Sequence, residues 1–339
     1  MGIHSAITAT GIALGARRVE NDELGAIVNS SDEWIRKRTG IEARYFVEDG
    51  QTNWGLALEA SQQALATAGL EANDLDAIVY ATLSPDMAFP GSGVMLQDAL
   101  GADEIPALDV RNQCSGFLYG LSVADAWIRA GSYRRVLLVG SEIHSTGLDL
   151  TERGRDVAVL FGDGAGAAIV EAVDEDDRRG GRVLDVALGA DGSGAHLLRC
   201  ERPGAQFHPS LSAADIEAGH HFPKMEGRTV FRRAVEMLTR ETKAAMDRLD
   251  LPASKIVFVP HQSNKKINEM VAQRLGIDPQ RVVHTIDQYG NTTAASIPMA
   301  LHSALDDGMI EDGDVALLAA FGSGLTWGTG ALRFARAPG

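Results

Sequence analysis

The sequence predicts an α/β fold made of two fused halves, and three observations support that prediction. Its 339 residues with 45% apolar content suit one large core or two fused cores, because single domains usually stop growing near roughly 250–300 residues. A content of 37 glycines and only 6% aromatic residues favours tight strand–helix turns. Short, continuously apolar runs alternate with amphipathic patterns, as expected for strands that are buried on both faces.

The apolar runs predict the strands, and periodic segments between them predict the helices. Strands are expected over residues 75–84, 105–110, 135–142, 166–173, 255–262, 281–287, 314–322 and 330–334. Apolar side chains recur at helical spacing over residues 54–70, 229–249 and 264–276. The charged segment 172–182 separates two stretches of strand–helix alternation. We therefore expect an N-terminal half over residues 1–175 and a C-terminal half over residues 176–339.

The composition of two further segments predicts their structure. The uncharged run 315–332 is long enough to suggest a membrane span, but its glycines favour two strands joined by a turn. The segment 198–227 has weak periodicity and is expected to be a long irregular excursion of the kind that often serves function.

Charge and cysteine content exclude several classes of function. The chain has 31 basic and 46 acidic side chains and a formal net charge of −15, which does not suit binding to nucleic-acid phosphates. Two cysteines are too few for a disulfide framework or a cysteine zinc site. We expect a soluble cytoplasmic protein that has no targeting segment and that binds neither membrane nor nucleic acid.

Cys114 stands where the predicted strand 105–110 gives way to a helix. Four apolar residues follow it at helical spacing: Phe117, Leu121, Ala124 and Ile128. Gly131 can end this helix in a left-handed cap. The free N–H groups and dipole at a helix start are expected to lower the pKa of the thiol and to stabilise an oxyanion. Cys114 is thus a candidate nucleophile, with a buried structural cysteine as the alternative, and Cys200 is expected to be a bystander.

Polar groups that could act with this thiol stand at other strand ends and helix starts. His261 comes directly after the buried strand "IVFVP" and before a helix, where α/β sheets gather their chemistry. Asn291 in "YGNTTAAS" precedes a helix from about residue 294, and a simple N-cap is the alternative. The turn at Gly322, Ser323 and Gly324 offers N–H groups to an oxyanion.

Neither a metal centre nor a phosphate loop is expected. His208, His220 and His221 lie in the excursion, but the chain has no HExxH motif and no thiolate cluster. The glycine-rich "FGDGAGA" at 161–167 lacks the lysine of a Walker motif and predicts a tight turn beside a strand.

Four motifs in order resemble those of the β-ketoacyl-acyl-carrier-protein synthase III family of the thiolase superfamily. They are "QCSGF" at 113–117, "VPHQSN" at 259–264, "YGNTTAAS" at 289–296 and "FGSGLTWG" at 321–328. Further similarity in "NSSDEWIRKRTGIEARY", "FGDGAGA" and "GALRF" extends the resemblance over almost the whole chain. It implies a thiolase-like five-layered αβαβα fold with two pseudo-symmetric halves, and a homodimer.

The resemblance also implies a reaction. Cys114 would take an acyl group from acyl-CoA, and a malonyl thioester on acyl carrier protein would then lose carbon dioxide and attack that acyl-enzyme. His261 and Asn291 would donate hydrogen bonds to the malonyl thioester oxygen. The backbone N–H groups of Cys114 and Ser323 would hold the oxyanion of acyl transfer. No cofactor is implied beyond the two substrates.

The same resemblance implies which residues bind coenzyme A. Trp34 and Arg38 would contact its adenine end, and Asn264 would line the pantetheine tunnel. One arginine after residue 150 joins them: Arg155 fits without a gap, and Arg153 is the alternative. Without the resemblance, Trp34 would be read as a half-buried surface anchor.

Two further expectations concern protein partners. Phe89 would reach into the acyl pocket of the neighbouring subunit. Since carrier protein and this chain are both acidic, docking needs a local basic patch. The candidates lie near the expected tunnel mouth, with an ordinary solvated helix face as the alternative: Arg228, Arg232, Arg233, Lys265 and Lys266.

The chain departs from the family pattern around the expected pocket. Asn112 and Gln113 replace small apolar residues, Leu325 replaces an aromatic one, and the 198–227 excursion is longer than usual. The primer therefore stays open between acetyl-CoA and a branched or longer acyl-CoA. A secondary pathway that joins acyl chains or transfers acyl groups to oxygen or nitrogen, a thioester hydrolase and a non-catalytic acyl-binding subunit also remain as alternatives.

Overall fold

A computed structural model describes residues 3–334. The strands are β1 (His4–Leu14), β2 (Arg17–Glu20), β3 (Ala43–Phe46), β4 (Ala77–Ala81), β5 (Ala107–Val110), β6 (Arg135–Glu142), β7 (Gly164–Val173), β8 (Gly181–Ala190), β9 (Leu198–Arg199), β10 (Lys224–Met225), β11 (Ile256–Pro260), β12 (Val315–Gly322) and β13 (Thr326–Phe334). The helices are α1 (Asn21–Val28), α2 (Asp32–Thr39), α3 (Asn53–Ala68), α4 (Ser92–Leu100), α5 (Gly116–Arg129), α6 (Arg155–Ala158), α7 (Ala213–Glu217), α8 (Gly227–Arg248), α9 (Lys265–Leu275), α10 (Ile286–Tyr289) and α11 (Ser296–Asp306).

The main sheet is mixed and holds nine strands in the order β11-β12-β13-β8-β1-β7-β6-β4-β5. β4 runs parallel to β5 and β6, and β11 runs parallel to β12, whereas the central strands pair antiparallel. Strands up to Val173 form one side of this order, and strands from Gly181 form the other. The two sides meet where β1 and β8 share two residue pairs. The predicted boundary at residue 175 falls between β7 and β8, and the division into two domains stays a prediction.

The layers follow from which face of each strand the helices cover. Helices α5 and α11 lie between the two groups of strands, where Phe117 and Ile297 share one core with Val79 and Val259. Helix α3 covers the opposite face of the first group. Helices α8 and α9 cover the opposite face of the second group. The order is helix, strand, helix, strand, helix, which confirms the predicted five-layered fold.

Most of the predicted elements are present. The three predicted helices correspond to α3, α8 and α9. The uncharged run 315–332 forms β12 and β13, which pair antiparallel across the predicted glycine turn. Within residues 3–334, no helix is long and apolar enough to cross a membrane.

The prediction of a strand over residues 281–287 is wrong. This segment forms only an isolated bridge with β11 before α10 begins. The reason is the side chain of Gln262: its Nε2 donates to the Val283 carbonyl, and its Oε1 accepts from the N–H groups of Thr285 and Ile286. A side-chain amide thus occupies backbone groups that a ladder would need.

The excursion at 198–227 folds back on itself more than its sequence pattern predicts. β9 pairs antiparallel with β10, and α7 lies between them in the chain. Ser323 Oγ donates to the Leu198 carbonyl at 2.5 Å. The base of the excursion is therefore fixed to the turn that follows β12.

Candidate active site

Cys114 lies in a 3₁₀ turn, Gln113–Ser115, between β5 and α5. The preceding Gln113 has a φ of 46°, a left-handed conformation that residues other than glycine rarely adopt. This sharp turn places Cys114 two residues before the start of α5, where it is only 6% exposed. Gly131 ends α5 with a φ of 75°, as predicted.

The end of β12 lies against the thiol. A Cβ added to Gly322 would lie 2.8 Å from the Cβ and 3.3 Å from the Sγ of Cys114, so no larger residue fits without displacing the cysteine. The backbone N–H groups of Cys114 and Ser323 both reach the sulfur, where each opposes a rise in its pKa. Two such donors at a reacting sulfur can stabilise developing negative charge. Their role as an oxyanion hole stays a prediction that this placement supports.

The expectation of a lowered pKa at Cys114 is wrong. Burial first, and the Glu142 carboxylate second, raise the pKa of the Cys114 thiol to about 12. Removal of the anion from water outweighs the helix dipole and the two N–H groups. The thiol is therefore neutral in the resting site.

His261 follows β11 directly and is 2% exposed. Its Nδ1 lies 2.6 Å from Ser296 Oγ. Its Nε2 is buried and has no hydrogen-bond partner in the part of the chain that the structure describes. Burial lowers the pKa of His261 to about 3, so the ring is neutral near pH 7. A neutral ring with an unpartnered nitrogen can bond a substrate.

Asn291 lies in the turn between α10 and α11. It follows Gly290, whose φ of 66° lies in the left-handed region that favours glycine. The Oδ1 of Asn291 accepts the backbone N–H of Thr293 at 2.9 Å. This bond fixes which end of the amide carries oxygen, and it leaves the NH₂ group on the other side as a donor.

Packing brings these three residues together. A Cβ added to the first residue of α5 would lie 3.4 Å from the Cβ of Ala294, so the Asn291 turn lies against the start of that helix. The backbone N–H of His261 donates to the carbonyl of Ala319 on β12, and the end of β12 contacts Cys114. The thiol, imidazole and amide therefore converge where α5, β11 and the turn before α11 meet.

Trp34 in α2 lies beside two guanidinium groups. The Cζ atoms of Arg38 and Arg155 are 4.5 Å and 5.3 Å from its ring centroid, close enough for cation–π attraction. Arg153 instead pairs with Asp149 at 2.5 Å. Of the two arginines that the sequence leaves open, Arg155 is the one beside Trp34.

Asn264 connects this cluster to the helix that follows His261. It caps α9 by accepting the N–H of Lys266 at 3.0 Å, and its Nδ2 donates to the Arg38 carbonyl at 2.9 Å. The sequence-predicted residues Trp34, Arg38, Arg155 and Asn264 thus form one continuous surface.

The basic residues predicted to dock a carrier protein differ in how free their charges are. Among the described residues, three are exposed and form no ion pair: Arg228, Arg232 and Lys266. Arg233 pairs with Asp191 at 3.7 Å. Lys265 packs against Gly40, where an added Cβ would lie 2.5 Å from the lysine Cβ. Arg228, Arg232 and Lys266 are thus the free, exposed cations of the predicted patch, whereas the charge of Arg233 is paired and Lys265 is only partly exposed.

The histidines of the excursion are engaged in other contacts. His220 Nδ1 lies 3.2 Å from the Asp215 carboxylate, and the ring of His221 packs on that of Phe222 at 3.9 Å, whereas His208 is exposed. No group of three His, Cys, Asp or Glu side chains within residues 3–334 is arranged to hold a metal ion.

Glu142 and His144 border the site without having been predicted from the sequence. Glu142 is fully buried, and its carboxylate accepts hydrogen bonds from the hydroxyls of Ser84, at 2.6 Å, and of Thr293. His144 Nε2 lies 3.1 Å from Thr293 Oγ1, and its ring packs on Phe161 at 4.6 Å. A signal for both was present in the sequence, because Glu142 is the last residue of β6 and His144 lies two residues after it, so both stand at the end of a buried strand, as His261 does.

The two buried histidines predict a loss of stability in acid. Burial lowers the pKa of His144 and His261 to about 3 from the ordinary 6.5, so the unfolded chain binds more protons below pH 6.5. The contribution of these histidines to the free energy of unfolding is therefore fully present above pH 6.5 and is lost as the pH falls toward 3. The loss is about 2 kcal/mol per histidine at pH 5.

We expect His144→Leu to narrow the difference between the thermal unfolding midpoints at about pH 7.5 and about pH 5. His208→Leu, at an exposed position, is the matched control and should leave that difference unchanged. An equal difference in both variants would contradict the assignment of a neutral buried His144.

The five-layered fold, a thiol with two N–H groups at its sulfur, and neutral imidazole and amide groups nearby define an acyltransferase of the thiolase superfamily. Comparison with known proteins narrows this class. Residues 108–192 match the family model of 3-oxoacyl-(acyl-carrier-protein) synthase III, and residues 241–334 match the model of its C-terminal part. The chain is 42% identical to the β-ketoacyl-(acyl-carrier-protein) synthase III of Rhizorhabdus wittichii, over 97% of this chain and 98% of that relative.

Solved structures agree with this result. The 3-oxoacyl-(acyl carrier protein) synthase III of Pseudomonas aeruginosa aligns with a TM-score of 0.88 at 36% identity, over 99% of this chain and 100% of that one. The priming β-ketosynthase of the R1128 polyketide biosynthetic pathway aligns with a TM-score of 0.90 at 32% identity, over 99% and 98%. The chain belongs to the 3-oxoacyl-(acyl-carrier-protein) synthase III family, whose members are carbon–carbon bond-forming acyltransferases.

Proposed function

We propose that this enzyme starts fatty-acid chains by joining an acyl group from acyl-CoA to malonyl-acyl carrier protein with loss of carbon dioxide. The observation that carries the proposal is the convergence of Cys114, with two N–H groups at its sulfur, on the neutral donors of His261 and Asn291. Its relatives in Rhizorhabdus wittichii and Sphingopyxis alaskensis are β-ketoacyl-(acyl-carrier-protein) synthases III, which supports the carrier-bound product. No cofactor takes part in the proposed steps.

The first step forms a thioester on Cys114. The sulfur attacks the carbonyl carbon of the acyl-CoA, and the Cys114 and Ser323 N–H groups hold the oxyanion that develops. The carbon–sulfur bond to coenzyme A then breaks. Because the Cys114 thiol is neutral at rest, its proton ends on the departing coenzyme A sulfur. The step therefore does not require the Cys114 thiol to be ionised before acyl-CoA binds.

The second step forms the new carbon–carbon bond. Malonyl carrier protein loses carbon dioxide, and hydrogen bonds from His261 and Asn291 hold the enolate oxygen where charge develops. The enolate carbon attacks the acyl carbon on Cys114, and the bond from that carbon to sulfur breaks. The Cys114 sulfur regains a proton from solvent. Both donors must be neutral, which matches the lowered pKa of His261.

The experiment that tests this function is intact-protein mass spectrometry with a panel of acyl-CoAs, followed by addition of malonyl carrier protein. We expect an adduct of acyl mass that is discharged as a β-ketoacyl carrier product. An adduct that water alone removes would favour a hydrolase. An adduct that persists in the presence of malonyl carrier would favour transfer to another acceptor.

Coenzyme A is proposed to bind on the surface formed by Trp34, Arg38, Arg155 and Asn264. The indole and its flanking guanidinium groups offer a flat, cationic face that suits an adenine ring and its phosphates. The proposal includes Arg155 and excludes Arg153, which is paired with Asp149.

An Arg155→Ala variant is expected to raise the KM for acyl-CoA about tenfold, because it loses a stacked cation beside Trp34. The rate of Cys114 acylation at saturating acyl-CoA should change little. Arg153→Ala is the matched control and should keep the original KM. The proposal fails if the two variants behave alike in a steady-state assay of acyl-enzyme formation.

Carrier protein is proposed to dock on the three free cations Arg228, Arg232 and Lys266. Because the chain carries a net charge of −15, an acidic partner gains attraction only from a local patch. Arg228 and Arg232 lie on the first turns of α8, and Lys266 lies on the first turn of α9, so the patch borders the Asn264 surface.

The double variant Arg232→Glu with Lys266→Glu is expected to raise the KM for malonyl carrier protein about tenfold or more. Loading of Cys114 from acyl-CoA should stay near the original rate. Lys243→Glu, further along α8 and paired with Asp247, controls for charge reversal. Equal losses in loading and condensation by the double variant would refute carrier docking at this patch.

A homodimer is proposed from exposed apolar side chains beside β5, the last strand of the main sheet. Phe89 is 85% exposed, and Met87, Val94 and Leu108 are exposed near it. Such a patch beside an unpaired strand edge marks an interface, and its second copy would receive Phe89. Analytical ultracentrifugation tests this, and a monomer at every concentration would contradict it.

Priming of a polyketide is the second candidate function. The alignment with the R1128 priming β-ketosynthase favours it, as do the polar Asn112 and Gln113 before the cysteine, which depart from the usual pocket border. The same acyl-CoA panel separates the two candidates. Preference for acetyl-CoA would favour ordinary fatty-acid initiation over the second pathway.

A further inference from the structure

Thr293 has a backbone conformation that is rare for its residue type. Its φ is 43°, and a β-branched residue in this region is a genuine outlier. It is 1% exposed and lies two residues after Asn291, in the 3₁₀ turn Thr293–Ala295 that leads into α11. Strained residues of this kind persist where their surroundings hold them in place, often at functional sites.

The backbone N–H of Thr293 orients Asn291. It donates to the Asn291 Oδ1 at 2.9 Å. An amide has one acceptor end and one donor end, so this bond turns the NH₂ group away from the Thr293 peptide. An asparagine side chain that accepts the N–H two residues later forms an Asx-turn, so the local chain itself fixes the orientation of the amide.

The carbonyl of Thr293 orients His261 through Ser296. That carbonyl accepts the backbone N–H of Ser296 and also lies 2.8 Å from its hydroxyl. The hydroxyl is closer, at 2.6 Å, to His261 Nδ1. The Ser296 hydroxyl is placed to donate to either acceptor but carries only one proton. Since the carbonyl already accepts the Ser296 N–H, we assign the hydroxyl proton to Nδ1, which is the closer acceptor. A neutral imidazole that accepts at Nδ1 carries its own proton on Nε2, the buried atom without a partner among the described residues.

The side-chain hydroxyl of Thr293 contacts two buried residues, Glu142 and His144. Its hydroxyl donates to the buried Glu142 carboxylate and lies 3.1 Å from His144 Nε2, which donates to it. Glu142 in turn accepts hydrogen bonds from Ser84 and the N–H of Leu83. Every polar group of Thr293 is therefore engaged, and its unusual backbone conformation is fixed at both ends.

We propose that Thr293 and Ser296 are positioning residues that present the NH₂ of Asn291 and the Nε2–H of His261 together to the substrate oxygen. The proposal rests on the proposed decarboxylation, in which both groups must act as donors. It assigns to Glu142 and His144 the task of holding Thr293, without contact with the substrate.

The proton position on His261 can be measured directly. Nitrogen-15 NMR of histidine-labelled protein distinguishes a protonated Nδ1 from a protonated Nε2, and His261→Asn identifies the signal. We expect the Nε2–H form in the unmodified enzyme and a loss of that preference in Ser296→Ala. A proton on Nδ1 in the unmodified enzyme, or an unchanged signal in Ser296→Ala, would overturn the proposal.

Kinetics of the two half-reactions test Thr293. Thr293→Val keeps the shape but removes the hydroxyl, and it should slow release of carbon dioxide from malonyl carrier by about 10–100-fold, as expected for a small misplacement of donors. Loading of Cys114 should stay within about threefold, because its N–H donors do not depend on Thr293. Thr293→Ser, which restores the hydroxyl, should recover most of the rate.

Thr242→Val is the matched control for this series. Thr242 is buried on α8, and its hydroxyl has no partner within the described residues, so the same substitution should leave both half-reactions unchanged. Equal loss of loading and decarboxylation in Thr293→Val would mean a general structural role and overturn the proposal, as would an unchanged decarboxylation rate. If the unmodified enzyme releases no carbon dioxide, the proposed function fails, and the NMR result still decides the orientation of His261.

Discussion

A Cys114→Ala variant is expected to form no acyl-enzyme with any acyl-CoA and to lose primer-dependent condensation by at least about 10⁴-fold, as for removal of other enzymatic nucleophiles. The physical reason is that the two N–H groups of the site converge on this one sulfur. Intact-protein mass spectrometry after exposure to acyl-CoA measures the adduct, and product analysis with malonyl carrier protein measures condensation.

Cys200→Ser is the matched control for this variant. Cys200 is exposed, and its Sγ lies 3.2 Å from the carbonyls of Arg202 and His221 in the excursion. It should load and condense as the unmodified enzyme does. An acyl adduct that remains in Cys114→Ala, or that disappears in Cys200→Ser, would remove Cys114 from its proposed role.

The Cys114→Ala variant also separates the two steps. Its His261 and Asn291 donors remain in place, so malonyl carrier should still lose carbon dioxide, within about tenfold of the original rate, without giving a β-keto product. Loss of this residual reaction would mean that decarboxylation needs the thiol itself, and the proposed division of labour would then be wrong.

The positions of the three candidate residues could be predicted because their signals are local. Cys114 lies just before a helix whose apolar spacing is plain in the sequence, His261 follows a buried strand directly, and Asn291 follows a glycine that permits a turn. Each of these patterns spans about ten residues. Helix, strand and turn patterns therefore predict that all three residues lie at strand ends or helix starts.

The properties of these residues could not be predicted in the same way, because they depend on contacts between distant parts of the chain. The partner of His261 Nδ1 is Ser296, 35 residues away. The pKa of Cys114 rises because burial and Glu142 outweigh the helix dipole. The sign of that balance is set by the packing of β6 and β12 around the thiol, which no local pattern reports.

In the fold, too, elements with a local sequence signal could be predicted, and those that depend on distant contacts could not. Strands such as β6 and β12 have continuous apolar runs and were predicted, whereas β1 was not, since its sequence "HSAITATGIAL" mixes small and polar residues with apolar ones. β1 is nevertheless a central strand, paired with β7 and β8. The five-layered order came from the family resemblance rather than from periodicity, because layer order depends on which faces meet.

An Asn291→Asp variant is expected to slow decarboxylation of malonyl carrier by about 10²–10³-fold, the range for loss of one donor to a developing oxyanion. The aspartate has nearly the same shape and can still accept the Thr293 N–H. Its other oxygen accepts instead of donating, and it places negative charge beside the enolate. Loading of Cys114 should continue, because its N–H donors are backbone groups.

His261→Ala should give a loss of the same size by removing the second donor, and the double variant should lose little more than the worse single one if the two donors act on one oxygen. Asn73→Asp, an exposed asparagine that also accepts a backbone N–H, controls for the change of charge. Release of labelled carbon dioxide from malonyl carrier measures the step. If Asn291→Asp were as fast as the unmodified enzyme, the amide would serve only to hold the turn, and its NH₂ would not be a catalytic donor.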